Sequence, residues 1–327
     1  MNILLTGACG YKGSVLVPKL LKAGHRVVAF DIMWFGNFLE PHPDLTVVKG
    51  DVRNPDEIDL TGIDAIIHLS SVANDPCGDL DPKLTWEISC LATMQLADRA
   101  RRHGIQHFIY ASSGSVYGIK DEEQVTEDLE LLPISEYNKT KMCGERIVLS
   151  YRDDMVVQIV RPATVCGYSP RQRLDVSVNM LTMQALMNGR ITVFGGNQMR
   201  PNLHVEDMVD AYVLMLTAPH EKIHGETFNI GFQNYSIAEI AGMVKKVVQE
   251  EMPEKGEIKI VTTPTNDMRS YHVNSDKVNR VLGFKPKHSI EDAVRDLTRA
   301  FRNHLMTNSF DDDWYYNVRT MKKLGAK

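Results

Sequence analysis

An apolar run, a glycine-rich turn and an amphipathic stretch follow one another without interruption at residues 2–23, and that order restricts the fold more than any other feature. Asn2-Ile3-Leu4-Leu5-Thr6 reads as a buried strand, Gly7-Ala8-Cys9-Gly10-Tyr11-Lys12-Gly13 as a tight turn, and residues 11–23 as a helix opening from it. A strand that feeds a helix through glycine is the first half of a βαβ unit, and the N–H groups at the helix start can meet a pyrophosphate. Apolar, β-branched runs recur at 26–31, 46–50, 65–69, 107–111 and 156–161, with helical patterns at 83–103 and 136–151. The alternation predicts an α/β fold with a doubly wound parallel sheet.

Past residue 170 the alternation loosens, and Pro170, Pro201, Pro219, Pro253, Pro264 and Pro286 divide the chain into shorter elements. A smaller α/β lobe over 171–327 is expected, interleaved with a first domain at 1–170, because a helical pattern at 204–216 and a short strand at 227–231 look like returns to that domain. The run Asp311-Asp312-Asp313-Trp314-Tyr315-Tyr316 reads as a solvated or loosely docked tail. With 37 Lys+Arg against 42 Asp+Glu the net charge is −5, and no basic stripe offers itself to nucleic acid. The longest apolar run is six residues (211–216), far short of the ~20 that a membrane helix needs. The first residues lack a signal-peptide pattern, so a cytoplasmic location is expected. Five scattered cysteines without a Cys-x-x-Cys pair suggest reduced, buried thiols rather than disulfides or a metal site.

Asp31 closes the second strand, 24 residues after Gly7, where its carboxylate can accept from both hydroxyls of an adenosine ribose. The same charge repels a 2′-phosphate, and the neighbouring Ile32 and Met33 offer no guanidinium, so NAD is expected rather than NADP. Asp51-Val52 after the third strand would flank the adenine, and Leu69-Ser70-Ser71 after the fourth would run beside phosphate and ribose. Tyr137 and Lys141 stand at i and i+4 on one helix face, with Ser113 at a strand end upstream. A phenol titrates near ~10 and needs a cation and a hydrogen-bonded neighbour to act as a base at neutral pH. Lys141 supplies the first and Ser113 can hold the substrate oxygen. His220-Glu221-Lys222-Ile223-His224 matches the zinc-hydrolase pattern, but Pro219 before it and Gly225 after it suit a loop, and no metal is expected.

Thr6-Gly7-x-x-Gly10-x-x-Gly13, Ser112-Ser113-Gly114-Ser115-Val116-Tyr117-Gly118, Tyr137-x-x-x-Lys141 and Arg200-Pro201-Asn202-Leu203-His204-Val205-Glu206-Asp207 together resemble the extended short-chain dehydrogenase/reductases of the nucleotide-sugar epimerase/dehydratase group. The resemblance runs from residue 1 to about 300, and UDP-glucose 4-epimerases are the nearest type within the group. It implies a Rossmann lobe for NAD, a smaller lobe for a nucleoside-diphosphate sugar, and a homodimer built on a four-helix interface. By position it implies Tyr137 as acid/base, Lys141 on the nicotinamide ribose, Ser113 on the reacting hydroxyl, and Ala111 and Pro162 beside the cofactor. On the substrate side it implies Asn179 and Arg200 near the diphosphate, Thr164 against the sugar, and Arg269 as a phosphate clamp in a shifted register.

Departures narrow the activity. Dehydratases of the group carry Asp-Glu directly after the Ser/Thr, and decarboxylases a Glu at the second of those places; here they are Gly114 and Ser115. Hydride chemistry without elimination remains: epimerisation through a 4-keto sugar, or net oxidation or reduction at C4. Lys12 stands where the group prefers an apolar residue and Ser89 where it prefers Asn. Lys12 is either a cation near the pyrophosphate or a solvated first-turn lysine.

Overall fold

The structure, a computed structural model, describes residues 1–265 and 270–325. Strands β1 (Asn2–Thr6), β2 (Arg26–Asp31), β3 (Leu45–Lys49), β4 (Ala65–His68), β5 (His107–Ala111) and β6 (Val156–Pro162) all run parallel. Between them lie helices α1 (Gly13–Lys22), α2 (Asp75–Leu80), α3 (Pro82–Trp86), α4 (Ala92–Arg102) and α5 (Glu136–Leu149). Strand β7 (Thr164–Cys166), helix α6 (Ser177–Asn188) and strands β8 (Arg190–Phe194) and β9 (Met199–His204) leave this sheet. After helices α7 (Val205–Thr217) and α8 (His220–Ile223), strand β10 (Glu226–Ile230) comes back and pairs parallel with β6. The seven-stranded order is β10-β6-β5-β4-β1-β2-β3.

Strands β4 and β5 are buried along their whole length because helices cover both faces of the sheet. On one side α1 and α7 pack together, fastened by Lys19, whose ammonium meets Glu206 and Asp210 at 2.7 Å each. On the other, α4 and α5 cover Ile66, Phe108 and Tyr110. The sheet order reverses between β1 and β4, so the strands' carboxyl ends diverge there and leave a crevice.

The second lobe adds β11 (Gln233–Ser236), α9 (Ile237–Glu251), β12 (Lys259–Thr263) and α11 (Ile290–Arg302), while α10 (Asp276–Leu282) and α12 (Asn317–Leu324) pack back on the first lobe. Strands β11, β9 and β7 form one small sheet and β12 with β8 another. Helices α6, α9 and α11 close over a core that includes Leu181, Ile191, Val244 and Leu297. Capping boxes, Ser236 with Glu239 and Ser289 with Asp292, start α9 and α11.

Three expectations are corrected. The helix at 83–103 is interrupted by a π-turn at Glu87–Leu91, which swings Ser89 inward to accept from the Val72 N–H at 3.1 Å. Cys90 and Cys143 are only half-buried. The 311–316 run is docked: Tyr316 is buried, its hydroxyl donates to the Ser309 carbonyl at 3.0 Å, and the Tyr315 carbonyl accepts from Leu174 N at 2.9 Å. Asp312 and Asp313 add local bonds, to Trp314 N at 3.0 Å and to Lys323 at 2.8 Å. Among the described residues no helix is long and apolar enough to cross a membrane.

Candidate active site

The carboxyl ends of β1, β2, β4 and β5 open onto one cleft, closed on the far side by the second lobe. At its floor Gly7 has φ +70° and donates to Phe30 O at 2.9 Å; a Cβ there would lie 2.8 Å from Ser70 N. The turn delivers the start of α1, which has no side-chain cap and no acid in its first turn, so the positive end of the helix dipole faces the cleft. Asp31 accepts from Cys9 N at 2.9 Å and Met33 N at 2.7 Å. Burial pushes its carboxyl above the ordinary range while those two N–H groups pull it back. Each carboxylate oxygen keeps acceptor capacity for a ribose hydroxyl. Gly10, Tyr11, Lys12, Gly13, Ile32, Asp51, Val52, Leu69, Ser70 and Ser71 face the same cleft.

The reactive groups meet at the cleft's other end. Ser135 caps α5 by accepting from Asn138 N, which fixes the first turn and so the direction of Tyr137. Ser113 stands close enough to the Tyr137 phenol to favour its ionised form, and lies 2.8 Å from the Ser115 hydroxyl, which donates to Asn138 Oδ1. Asn138 in turn donates to Asp75 at 2.9 Å. Burial pushes the Tyr137 phenol up to about 12, with Ser113 acting against the rise. Lys141 Nζ donates to the Ala111 carbonyl at 2.7 Å, so Ala111 acts through its backbone from behind the wall. Burial brings Lys141 down to about 7, and the charge of Lys12 adds to the fall. Lys12 itself lies against Tyr212, Nζ to Oη 3.5 Å, and burial followed by the Arg173 charge brings it down to about 8.

Pro162 and Thr164 line the cleft, Thr164 with its hydroxyl 3.0 Å from that of Tyr271. Asn179 does not reach it. Its side chain is wholly buried, accepting from Gly167 N at 3.0 Å and donating to Tyr11 Oη and Arg173 O, so its amide is spent on joining the lobes. Arg200 stands behind Tyr271, its guanidinium 5.6 Å from that ring's centroid and one NH donating to Met199 O at 2.8 Å. Arg269 lies outside the described residues. His220 opens the single turn of α8 and His224 follows it, with His220 packed edge-on against His107.

Sequence reasoning missed Asn74, Asp75, Arg171, Arg173, Asp175 and Asn317, all of which line the cleft. Asp175 is their hub: it accepts from Arg173 Nε at 2.7 Å, Asn74 Nδ2 at 3.0 Å and Asn317 N at 3.2 Å. Burial alone would raise its carboxyl, but Arg173, the charge of Arg171 and the Asn317 N–H hold it below the ordinary range. The available signal was the paired arginines of Ser169-Pro170-Arg171-Gln172-Arg173 just past the sixth strand.

A glycine turn, an uncapped helix start and a ribose-binding carboxylate at one end, with a Ser, Tyr and Lys at the other, fit a nicotinamide dinucleotide enzyme. The chain matches the NAD-dependent epimerase/dehydratase family over residues 3–231 and belongs to it. It is an NAD-dependent enzyme of the extended short-chain dehydrogenase/reductase type. It is 31% identical to a UDP-glucose 4-epimerase of Mycolicibacterium smegmatis, covering 93% of this chain and 99% of that one. A protein of Bacillus subtilis described as an uncharacterized UDP-glucose epimerase is 30% identical, over 90% of this chain and 96% of its own. Among solved structures, a UDP-glucuronic acid 4-epimerase from Bacillus cereus, in complex with UDP-glucuronic acid and NAD, superposes with a TM-score of 0.78. It is 27% identical and the match covers 93% of this chain and 100% of that one.

Proposed function

We propose that the protein is a nucleotide-sugar epimerase acting at C4 of the sugar through a 4-keto intermediate. The observation that carries this is the assembly of Ser113, Tyr137 and Lys141 beside Gly114 and Ser115: proton-handling groups for a secondary alcohol, without the extra acid that elimination or decarboxylation uses.

Bound NAD supplies the hydride acceptor and donor. Ser113, oriented by Ser115, holds the C4 oxygen. Tyr137 Oη takes the hydroxyl proton and later returns it to the same oxygen. Lys141, fixed by the Ala111 carbonyl, supplies the positive charge that favours the phenolate. Both Lys12 and Lys141 are more readily charged when an anion enters the cleft. Asp31 selects the unphosphorylated ribose; Thr164, Arg200 and Arg269 serve the sugar diphosphate, and Asn179 supports them from behind. The exposed apolar face of Trp86, Leu91 and Met94 across α3 and α4 supports a homodimer, and the protein works in the cytoplasm.

The test is incubation of the purified protein with UDP-glucose, UDP-glucuronic acid and dTDP-glucose. The expected result is the 4-epimer of one of them, with no net absorbance at the wavelength of reduced nicotinamide. Stoichiometric NADH without epimer would replace the reading by a C4 dehydrogenase. NAD binding without turnover of any sugar would leave a non-catalytic sensor.

A further inference from the structure

Residues 308–324 cross from the second lobe to the first, and their contacts gather at the end of the cleft that holds Asp31. The Trp314 ring meets Phe38 edge-on, centroids 6.1 Å apart. It lies so close to Gly36 that a Cβ there would come within 2.6 Å of Trp314 Cζ2, so only glycine fits beneath the indole. Asn317 N donates to Asp175 at 3.2 Å, and the Asn317 side-chain oxygen accepts from Arg171 at 2.6 Å. The Arg171 guanidinium is stacked on Phe35, 3.9 Å from the ring centroid. Met321 and Val318 pack into the core with Phe30, Val52 and Trp34.

We propose that residues 308–324 are a strap belonging to the cofactor site, seating Arg171 and Asn317 at the ribose-phosphate end of the dinucleotide and holding the 34–38 loop over it, so that NAD is retained from cycle to cycle. Arg171 is only 2% exposed, yet its Nε has no partner among the described residues, and neither does Arg173 NH2. Buried donors need acceptors. Both arginines and Asn317 line the cleft, where ribose hydroxyl and phosphate oxygens of the dinucleotide provide them. Burial and the neighbouring Arg173 also disfavour the charge on Arg171, with Asp175 and Asp31 opposing, which makes an arriving anion favourable. The purpose of retention rests on the epimerase reading, since an internal hydride cycle needs no exchange of cofactor.

The experiment compares wild type with Trp314→Ala and Asn317→Ala, each checked for a cooperative thermal transition. NAD content is measured on isolation, and release is followed by displacement with isotopically labelled NAD. The strap requires near-stoichiometric, slowly exchanging NAD in wild type and release at least about tenfold faster in both variants. Equal content and equal release rates in folded variants overturn it. Should a variant fail to fold, amide exchange on wild type decides. NAD added to stripped protein must slow exchange across 314–324, and unchanged exchange there overturns the strap. Strap-dependent retention in a protein that forms no epimer upholds the strap and removes the epimerase reading. Epimer formation with release unchanged in the variants does the reverse.

Discussion

The two walls of the cleft are made in different ways. On one, Gly7, Asp31, Asp51, Ser70 and Ser113 sit at or just beyond the carboxyl ends of parallel strands, each placed by its own strand and the turn after it. On the other, Arg171, Arg173, Asp175 and Asn317 come from segments as much as 146 residues apart and are held by polar bonds around one carboxylate. The first wall is rigid because its backbone is the sheet. The second is as firm as its hydrogen bonds. Chemistry that needs sub-ångström placement therefore belongs on the first, and ligand retention on the second.

The largest effect is expected at the reactive end, where Tyr137 from α5 faces Ser113 of the strand-end wall. Tyr137→Phe keeps the backbone and Cβ that lie against Gly78, and the ring, and removes only the titrating oxygen. Turnover is expected to fall at least about 10³-fold, with NAD content and the thermal midpoint unchanged. A variant that also loses its cofactor would show that the reactive end and the binding end are not separable.

Asp175→Ala tests the opposite wall. It leaves Arg173 nearly buried with no counter-charge and frees Asn74 and the Asn317 N–H together. Breaking such a pair costs about 3–4 kcal/mol, read as a loss in denaturant stability. The native carboxyl titrates below its ordinary value, so this contribution is complete at neutral pH and is lost as pH falls through that lowered value. NAD release should quicken more than turnover per bound NAD declines. A rate loss as large as that of Tyr137→Phe would break the comparison.

The same contrast explains what was legible. The strand at 107–111 was read to the residue because a parallel strand buried on both faces is a continuous apolar run, that at 26–31 from its apolar centre Val27–Phe30, and Asp31 and Ser113 follow by counting from strand ends. Tyr137 and Lys141 follow from one helical turn. No comparable offset leads to Asn317, whose place depends on Trp314 and Tyr316 docking a segment that reads as acidic. Asn179 was expected at the diphosphate because the family resemblance implied it by position; its burial behind Tyr11 depends on how the lobes meet, which no local pattern encodes. The break at Glu87–Leu91 likewise turns Ser89 towards a partner outside its helix, Val72, 17 residues back.

Lys12 gives the smallest effect and the sharpest sign. It sits on the strand-end wall, yet among the described residues it has no carboxylate partner, only Tyr212, Lys141 and Arg173 around it. Its affinity for a proton drops from the ordinary 10.5 to about 8, so the unfolded chain binds more protons than the folded one between those values. Stability of the cofactor-free protein must rise with pH across that window, and the full penalty is present below it. Lys12→Met keeps the stem and removes the charge. It should stabilise the cofactor-free protein by about 3 kcal/mol at pH 7 and by almost nothing above the ordinary lysine value. Lys141, relieved of a like charge, should titrate higher in the variant. Urea unfolding at the two pH values measures the difference. Repeating it with NAD present should shrink the gap at pH 7, because the pyrophosphate supplies the anion that the folded chain alone does not. A gap indifferent to NAD would mean that this lysine faces away from the dinucleotide.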